Sequence, residues 1–464
     1  MSRVPVKPTL PSAPAATFTR VALDCRLSPA EVLHVLASSD RLPFALTGNW
    51  AGGGAIVGSE PLRVATEDED PFDLLDAVPS VAAAPAPPGA VGGGWFGWLG
   101  YRLAARVERI PLHPHRPTAL PDFHLAYYDN VLRRDSDGRW WFEALVTEDR
   151  RRALTARLAH IGTLLGGAPP RLPDPRLSSL RLRADAAAHH LDAVAQCVRR
   201  IAAGEIFQAN ICLRVEGETD ARATELLTAA LARVAPPYAA AFDIPGGGVA
   251  SLSPELFLRR RGRGIVTGPI KGTIARYADP MAAAAQLEQL RGSIKDAAEH
   301  VMIVDLMRND LGRVCEYGTV VAPRRPTAEP HPGLWHLVSH VHGRLRAGVG
   351  DGDVLRATFP PGSVTGAPKV QSLRVIAELE PVGREVYTGA IGFASPVAGL
   401  ELNVAIRTLE LTGGRVWLGA GGGIVADSEP RHELKEALTK ARPIAAAMGS
   451  SVEVEQHAPV ARAA

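Results

Sequence analysis

The sequence predicts an α/β (α+β) protein built from two blocks, and three observations carry that reading. Hydrophobic residues make up 46% and charged residues 22% of the 464-residue chain, the balance of a protein that buries a sizeable core. Residues 17–165 alternate short β-prone runs with turn signals, the pattern of an antiparallel sheet. Residues 185–446 alternate strand and helix patterns and hold every dense cluster of polar residues inside apolar sequence.

Charge and cysteine usage narrow the class of function. Lys and Arg total 51 against 49 Asp and Glu, a formal charge of +2, and no long basic run occurs. Neither a nucleic acid nor an anionic membrane is therefore expected as a partner, and small-molecule chemistry becomes the default. Cys25, Cys197, Cys212 and Cys315 lie far apart with no CxxC pair, so they read as reduced thiols. The first 20 residues lack a continuous apolar stretch, and no apolar run of about 20 residues follows, which makes a cytoplasmic location the expectation.

Three stretches read as linkers by composition: residues 1–16, Val81 to Gly94 and Gly166 to Pro175. In the first block the runs WFGWLGYRL, FHLAYYDNVL and RWWFEALV read as strands, with a turn at Asp137-Gly138. No concentrated polar chemistry lies there. In the second block two β-prone runs flank Gly262-Arg263-Gly264, a plausible hairpin turn because both glycines tolerate positive φ. A regular register about Arg263 places Glu255 opposite Lys271. The ordinary reading of such a pair is a solvated salt bridge. The alternative is a desolvated site in which Lys271 loses its proton and acts as a nucleophile while Glu255 stays protonated as a general acid.

Two helices supply further carboxylates. One reads from near Ser293 to Gly312, with Lys295 and Glu299 spaced i,i+4. The other, from about Pro430, carries Glu433, Glu436 and Lys440 at i, i+3 and i+7 on one face. Glu436 and Lys440 read as an ordinary surface pair, or Glu299 and Glu436 converge on a Mg²⁺ ion. A zinc-protease motif fails because Glu436 stands where HExxH needs its second histidine. The glycine run 419–427 offers backbone N–H groups for an anion but lacks the third glycine of a dinucleotide fingerprint, Ile424 standing in its place. The segment 359–369 resembles a phosphate loop only superficially, since Pro368 removes an amide donor before Lys369. Tyr387 and Arg407 are further handles for a carboxylate, Arg407 equally well an ordinary ion pair.

Eight segments in order, GEIFQAN (204–210), SLSPELF (251–257), PIKGT (269–273), AEHVMIVDLMRNDLGRV (298–314), HLVS (336–339), GSVTGAPK (362–369), EPVGREVYTGA (380–390) and GGGIVADSEP (421–430), give the chain a dense resemblance to the chorismate-utilising enzymes. These comprise the large subunits of anthranilate synthase and aminodeoxychorismate synthase together with isochorismate and salicylate synthases. The resemblance implies two packed antiparallel β-sheets with helices on the outside, the anthranilate synthase component I-like fold, and Mg²⁺ as cofactor. It implies that Glu299 and Glu436 hold the metal with Glu433 in support, and that Glu255 is the general acid at the C4 hydroxyl of chorismate. Tyr387, Arg407, Gly421, Gly423 and Lys440 then line the carboxylate sites, Gln208, Gly272, Thr273 and Gly366 join them around the substrate, and His336 lies near the reacting ring.

Two positions discriminate within the family. Gln208 stands where the water-adding members carry a lysine. Lys271 resembles the lysine of the aminodeoxychorismate synthases, where typical anthranilate synthases have alanine. The resemblance therefore implies amination of chorismate to 4-amino-4-deoxychorismate through a lysine adduct at C2, for 4-aminobenzoate, folate or a related product. Anthranilate synthase component I, aminodeoxyisochorismate synthase and a non-catalytic chorismate-binding subunit are the alternatives. No glutaminase motif is evident in the sequence, so a separate glutamine amidotransferase subunit is the expected ammonia source. Thr47-Gly48-Asn49-Trp50 stands near where tryptophan-regulated members carry a Leu-Glu-Ser type motif, which speaks against tryptophan feedback.

Overall fold

The computed structural model describes residues 15–81, 86–111, 116, 120–275, 279–292, 294–323, 325–331 and 334–455. Residues 1–14 and 82–85 of two expected linkers, and Ser293 at the expected helix start, lie outside them. The third linker is irregular chain between helix Arg151–Leu165 and strand Leu180–Leu182.

Among the described residues, 13 strands form a large sheet, eight a second sheet and three a small one. The large sheet starts at Thr17–Leu23 and passes through Trp140–Val146, Asn130–Arg134, Gly54–Gly58 and Phe44–Gly48. It continues through Tyr238–Ile244, Gly247–Ser253, Thr408–Thr412 and Arg415–Ile424 to Gln208–Glu218. The second sheet contains Gly264–Gly268, Leu256–Arg261, Gly399–Val404 and Ala390–Ser395, followed by Gly94–Leu99 and Phe123–Tyr128. These ladders are antiparallel; Val452–Val454 lies parallel to Leu180–Leu182 at the end of the large sheet.

The two sheets face each other, and this explains why their strands read as continuous apolar runs. In Gly94–Leu99 the side-chain period of two sends Phe96 and Trp98 between the sheets and Trp95 and Leu99 toward the outer helices, so both faces are buried. Phe44 of the large sheet meets Phe96 of the second at 4.5 Å between ring centroids, and Phe96 meets Phe393 at 5.5 Å. Trp50 fills this layer too, its indole N–H donating to Ala239 O at 2.9 Å. Helices Pro29–Ser39, Arg151–Leu165, Ala223–Leu231 and Pro430–Ala447 cover the outside of the large sheet through Leu33, Ile161, Leu227 and Leu438. Helices Ile294–Gly312 and Asp351–Thr358 cover the second through Met307, Leu311 and Leu355. Helix, sheet, sheet and helix follow one another, as the resemblance implied.

Both sheets run across the boundary between the two sequence blocks. Ala45 pairs with Ala241 in one and Phe96 with Phe393 in the other. Three of the short links at which the chain changes sheets border the site: Pro254-Glu255 leads from the large sheet to the second, residues 405–407 lead back, and Pro269 leads from the second sheet to the small one. Glu255, Arg407 and Lys271 sit at or beside these links.

A fragment starting at residue 185 would expose the Tyr238–Ile244 and Ala390–Ser395 edges and lose the aromatic layer they build with the first block. It is expected to aggregate or to bind hydrophobic dye without a cooperative thermal transition. A fragment that melts cooperatively in circular dichroism would contradict this.

Candidate active site

Two prolines and a bulge build the centre of the site. The hairpin about Gly262-Arg263 forms, but in another register than expected: Arg261 pairs with Gly264 and Arg259 with Val266, and a further shift brings Leu256 opposite Gly268. Glu255 and Lys271 are thus not cross-strand partners. Pro254 and Pro269 each lack an N–H for a ladder and end their strands, and Ile270–Ala275 pairs instead with Leu334–Val338. On that ladder Ile270 faces Val338 and Thr273 faces His336, so the Lys271 strand carries one extra residue. This bulge, with Gly272 at φ 83°, aims Lys271 away from the ladder.

The carboxyl and the amine meet by this other route. Glu255 is 4% exposed, its carboxyl accepting from the Ile270 N–H and the Ser363 hydroxyl. Burial pushes its pKa up to about 7, against the pull of those donors and of the Lys271 and Arg407 charges. The Lys271 ammonium approaches Ser363 O at 3.5 Å. Burial pushes its pKa below the ordinary lysine value, the Lys440 charge adds to that, and Glu299, Glu255 and Glu436 oppose it. Arg407, in a left-handed conformation at φ 52°, feels the Glu255 charge, and burial lowers its pKa. Its guanidinium makes no ion pair among the described residues, which leaves a cation aimed at the acid with its donors available to an anionic ligand.

The glycine run is a strand rather than an anion-binding loop. Gly421 pairs with Cys212 and Gly423 with Asn210. The glycines are there to make room. A Cβ on Gly423 would lie 2.1 Å from Gln208 Nε2 and 3.6 Å from Lys271 Nζ. One on Gly422 would lie 3.2 Å from Glu433 Oε2, 3.5 Å from Lys440 Nζ and 3.8 Å from Glu436 Oε1. One on Gly419 would strike the Tyr387 ring. One on Gly366 would lie 2.1 Å from Gln208 O. Gln208 is 1% exposed, and its Oε1 has no hydrogen-bond partner among the described residues, an orphaned acceptor beside the Lys271 amine.

The helix Pro430–Ala447 delivers its three charged groups to this strand as the spacing predicted. Lys440 pairs with Glu436 at 2.8 Å and donates to Gly421 O at 3.0 Å. Buried Glu433 accepts from the Ser428 hydroxyl at 2.7 Å. Glu299 comes from helix Ile294–Gly312 and its charge acts on Lys271, and the next residue, buried His300, meets Ser339 Oγ at 2.6 Å. His336 is buried in the small sheet. Tyr387 is buried with its hydroxyl 3.7 Å from Cys212 Sγ. The side chains of Thr273 and Lys295 lie outside the described residues. Sequence reasoning missed Ser363, which touches both Glu255 and Lys271. Its signal was the GSVTGAPK motif itself, in which it follows Gly362.

The carboxylates of Glu299 and Glu436, whose charges both act on Lys271, are the donor chemistry of a hard divalent cation. Among the described residues no three His, Cys, Asp or Glu side chains surround a common point. Mg²⁺ suits such a set, because it commonly takes one or two carboxylates and completes its shell with water and an anionic ligand. Glu299 and Glu436 therefore fit the metal-holding role in donor type.

Residues 49–446 match the chorismate binding enzyme family. The chain belongs to that family. It is 36% identical over 344 residues to aminodeoxychorismate synthase component 1 of Salmonella typhimurium, covering 73% of each chain. It is 35% identical over 441 residues to anthranilate synthase component 1 of Streptomyces coelicolor, covering 90% of this chain and 86% of that one. A shorter match, 48% over 204 residues, is to aminodeoxychorismate synthase component 1 of Klebsiella aerogenes and spans 44% of this chain and 45% of the relative. The crystal structure of anthranilate synthase component I from Streptococcus pneumoniae superposes with a TM-score of 0.72 at 26% identity, over 96% of this chain and 95% of that one.

The raised Glu255 pKa has a consequence for stability. The folded chain holds this proton more tightly than the unfolded chain, so the stability it contributes is fully present below about pH 4.5 and lost as pH rises through about 7. Relative to Glu255→Gln, the wild type is expected to lose up to about 3 kcal/mol between pH 4.5 and 8. Denaturant melts of both proteins at pH 5 and pH 8 measure this, and a difference independent of pH would contradict it.

Proposed function

We propose that this chain is the chorismate-aminating component of an aminodeoxychorismate synthase. The observation that carries the reading is the placement of the part-buried Lys271 amine beside the buried Glu255 carboxyl, an acid and a nucleophile held side by side. The names of its relatives, aminodeoxychorismate synthase component 1 above all, support the same reading.

Arg407, the orphaned acceptor of Gln208 and the region around Gly421 and Gly423 orient chorismate, and Lys440 adds a positive charge at their edge. Glu299 and Glu436, supported by Glu433, hold Mg²⁺, which when bound neutralises the carboxylate of the ring. The neutral Lys271 amine attacks C2. Both ring double bonds shift, C1=C2 to C1=C6 and C5=C6 to C4=C5, and the C4–O bond breaks, while Glu255 gives its proton to the departing hydroxyl, which leaves as water. Ammonia then adds at C4, both double bonds shift back and Lys271 leaves C2, recovering its free amine after proton transfer. His336 lies one ladder step from this centre and belongs beside the reacting ring.

Burial serves both steps. It lowers the Lys271 pKa, so that more of the amine is neutral than in water, and keeps Glu255 protonated up to about pH 7, two effects that water would reverse. A glutamine without an amine at 208 leaves no base there to activate water, which favours nitrogen as the final nucleophile. The relatives' designation as component 1 implies a second component. A glutamine amidotransferase that releases ammonia fits that place. The four cysteines are free thiols, consistent with a cytoplasmic location, and none of the described helices is long and apolar enough to cross a membrane.

Mass spectrometry of the products formed from chorismate, Mg²⁺ and ammonium tests the reading. The wild type is expected to form an aminated chorismate that a lyase converts to 4-aminobenzoate, and EDTA is expected to abolish it. Lys271→Ala is expected to lose this product while still binding chorismate, and Glu255→Gln to slow turnover about 10²- to 10⁴-fold. Anthranilate as the product, or full turnover by Lys271→Ala, would overturn the assignment.

A further inference from the structure

Lys369, the lysine of GSVTGAPK, takes no part in the chemistry above, and its surroundings show why it is there. It opens the helix Lys369–Leu379 and its side chain is 10% exposed. The ammonium donates to Thr358 O at 2.7 Å, to Pro360 O at 3.1 Å and to the carboxylate of Asp310, which uses all three of its protons. Asp310 is 3% exposed and belongs to the helix that carries Glu299. Two of these acceptors lie in the chain just before the 362–369 motif, and the third in the neighbouring helix.

The segment between Thr358 and Lys369 is what the site leans on. Ser363 O faces the Lys271 ammonium. Gly366 and Ala367 pair with Ala209 and Gln208. Thr365 O accepts from Asn210 N at 2.7 Å and Ala367 O from Phe207 N at 2.8 Å. From the other side buried Arg384 donates to Val364 O at 2.9 Å while it is ion-paired to Glu380 at 2.5 Å. We propose that Lys369 is a positioning residue: with Asp310 it clamps residues 358–368 so that Ser363 and Gly366 hold Lys271 and Gln208 in register with the Glu299 helix. The inference rests on the assignment of Lys271 and Gln208 to the active site.

A purely structural role and a positioning role differ in what an apolar replacement restores. A buried ion pair exchanged for two apolar side chains of similar volume often keeps or gains stability, whereas removing one partner leaves a buried charge and destabilises strongly. The test compares wild type, Lys369→Met, Asp310→Asn and the double variant Lys369→Met/Asp310→Leu. It reads the thermal midpoint, kcat and KM with chorismate and ammonium, and the pH dependence of Lys271 acetylation by acetic anhydride, followed by peptide mass spectrometry. Lys369→Met is expected to lower the midpoint and the double variant to recover it. In the double variant kcat is expected to stay down about 100-fold with KM changed less than about threefold, the pattern of a misplaced reacting group. Its Lys271 acetylation profile is expected to move toward that of an ordinary lysine. A double variant with wild-type kcat and a wild-type acetylation profile would overturn the proposal. Should the double variant not fold, Asp310→Asn, which keeps shape and removes charge, decides by the same acetylation profile. Because acetylation needs no turnover, a wild type that makes no aminated product would remove the assigned function, while the acetylation profiles would still decide for or against the clamp.

Discussion

The chemistry here depends on keeping one amine and one carboxyl out of water at the same point. Desolvation is the largest influence on each, lowering the pKa of Lys271 and raising that of Glu255. The same burial strengthens the attraction between them, so the structure must hold buried Glu255 and part-buried Lys271 where neither fully neutralises the other. Two facing sheets provide it. Glu255 and Arg407 lie at links where the chain passes between those sheets, and Lys271 lies at a bulge just past a third link. These short segments are free of ladder obligations, so their side chains can be aimed by local geometry while the aromatic layer keeps their backbones fixed.

Space is the second requirement, and glycine meets it. Strand Arg415–Ile424 approaches Gln208, Tyr387 and the helix carrying Glu433, Glu436 and Lys440 more closely than any side chain would permit. Its glycines let the helix that carries Glu433, Glu436 and Lys440 lie against Gly422 while Gln208 and Lys271 lie against Gly423. Loss of a single hydrogen at Gly423 for a methyl group would collide with Gln208, which is why a run that resembles an anion loop in the sequence is regular β structure in the fold.

Much of this was legible in the sequence, and where it was not the reasons are physical. The strands of the first block, the helix to Gly312 and the helix from Pro430 followed from period and punctuation, because amphipathic faces and turn residues act locally. The alignment of Glu433, Glu436 and Lys440 followed from helix geometry alone. The Glu255 and Lys271 pairing was right in outcome and wrong in route, since a symmetric hairpin cannot anticipate a register shift, two prolines and a strand that leaves for another sheet. That strands from both sequence blocks would complete the same two sheets was invisible, because ladder partners such as Ala45 and Ala241 are chosen by tertiary packing. Ser363 and the Lys369–Asp310 pair were missed because contacts between elements far apart in the chain have no sequence period.

The most direct test of a nucleophilic Lys271 is the mass of the protein itself during reaction. The chain is mixed with chorismate and Mg²⁺ without ammonia, quenched, digested and analysed by mass spectrometry for the peptide containing residue 271. Covalent catalysis requires a fraction of that peptide to carry the mass of chorismate less one water, and addition of ammonium to discharge it. A peptide that stays unmodified while ammonium-fed enzyme forms aminated product at the usual rate would mean that Lys271 acts only as a charge.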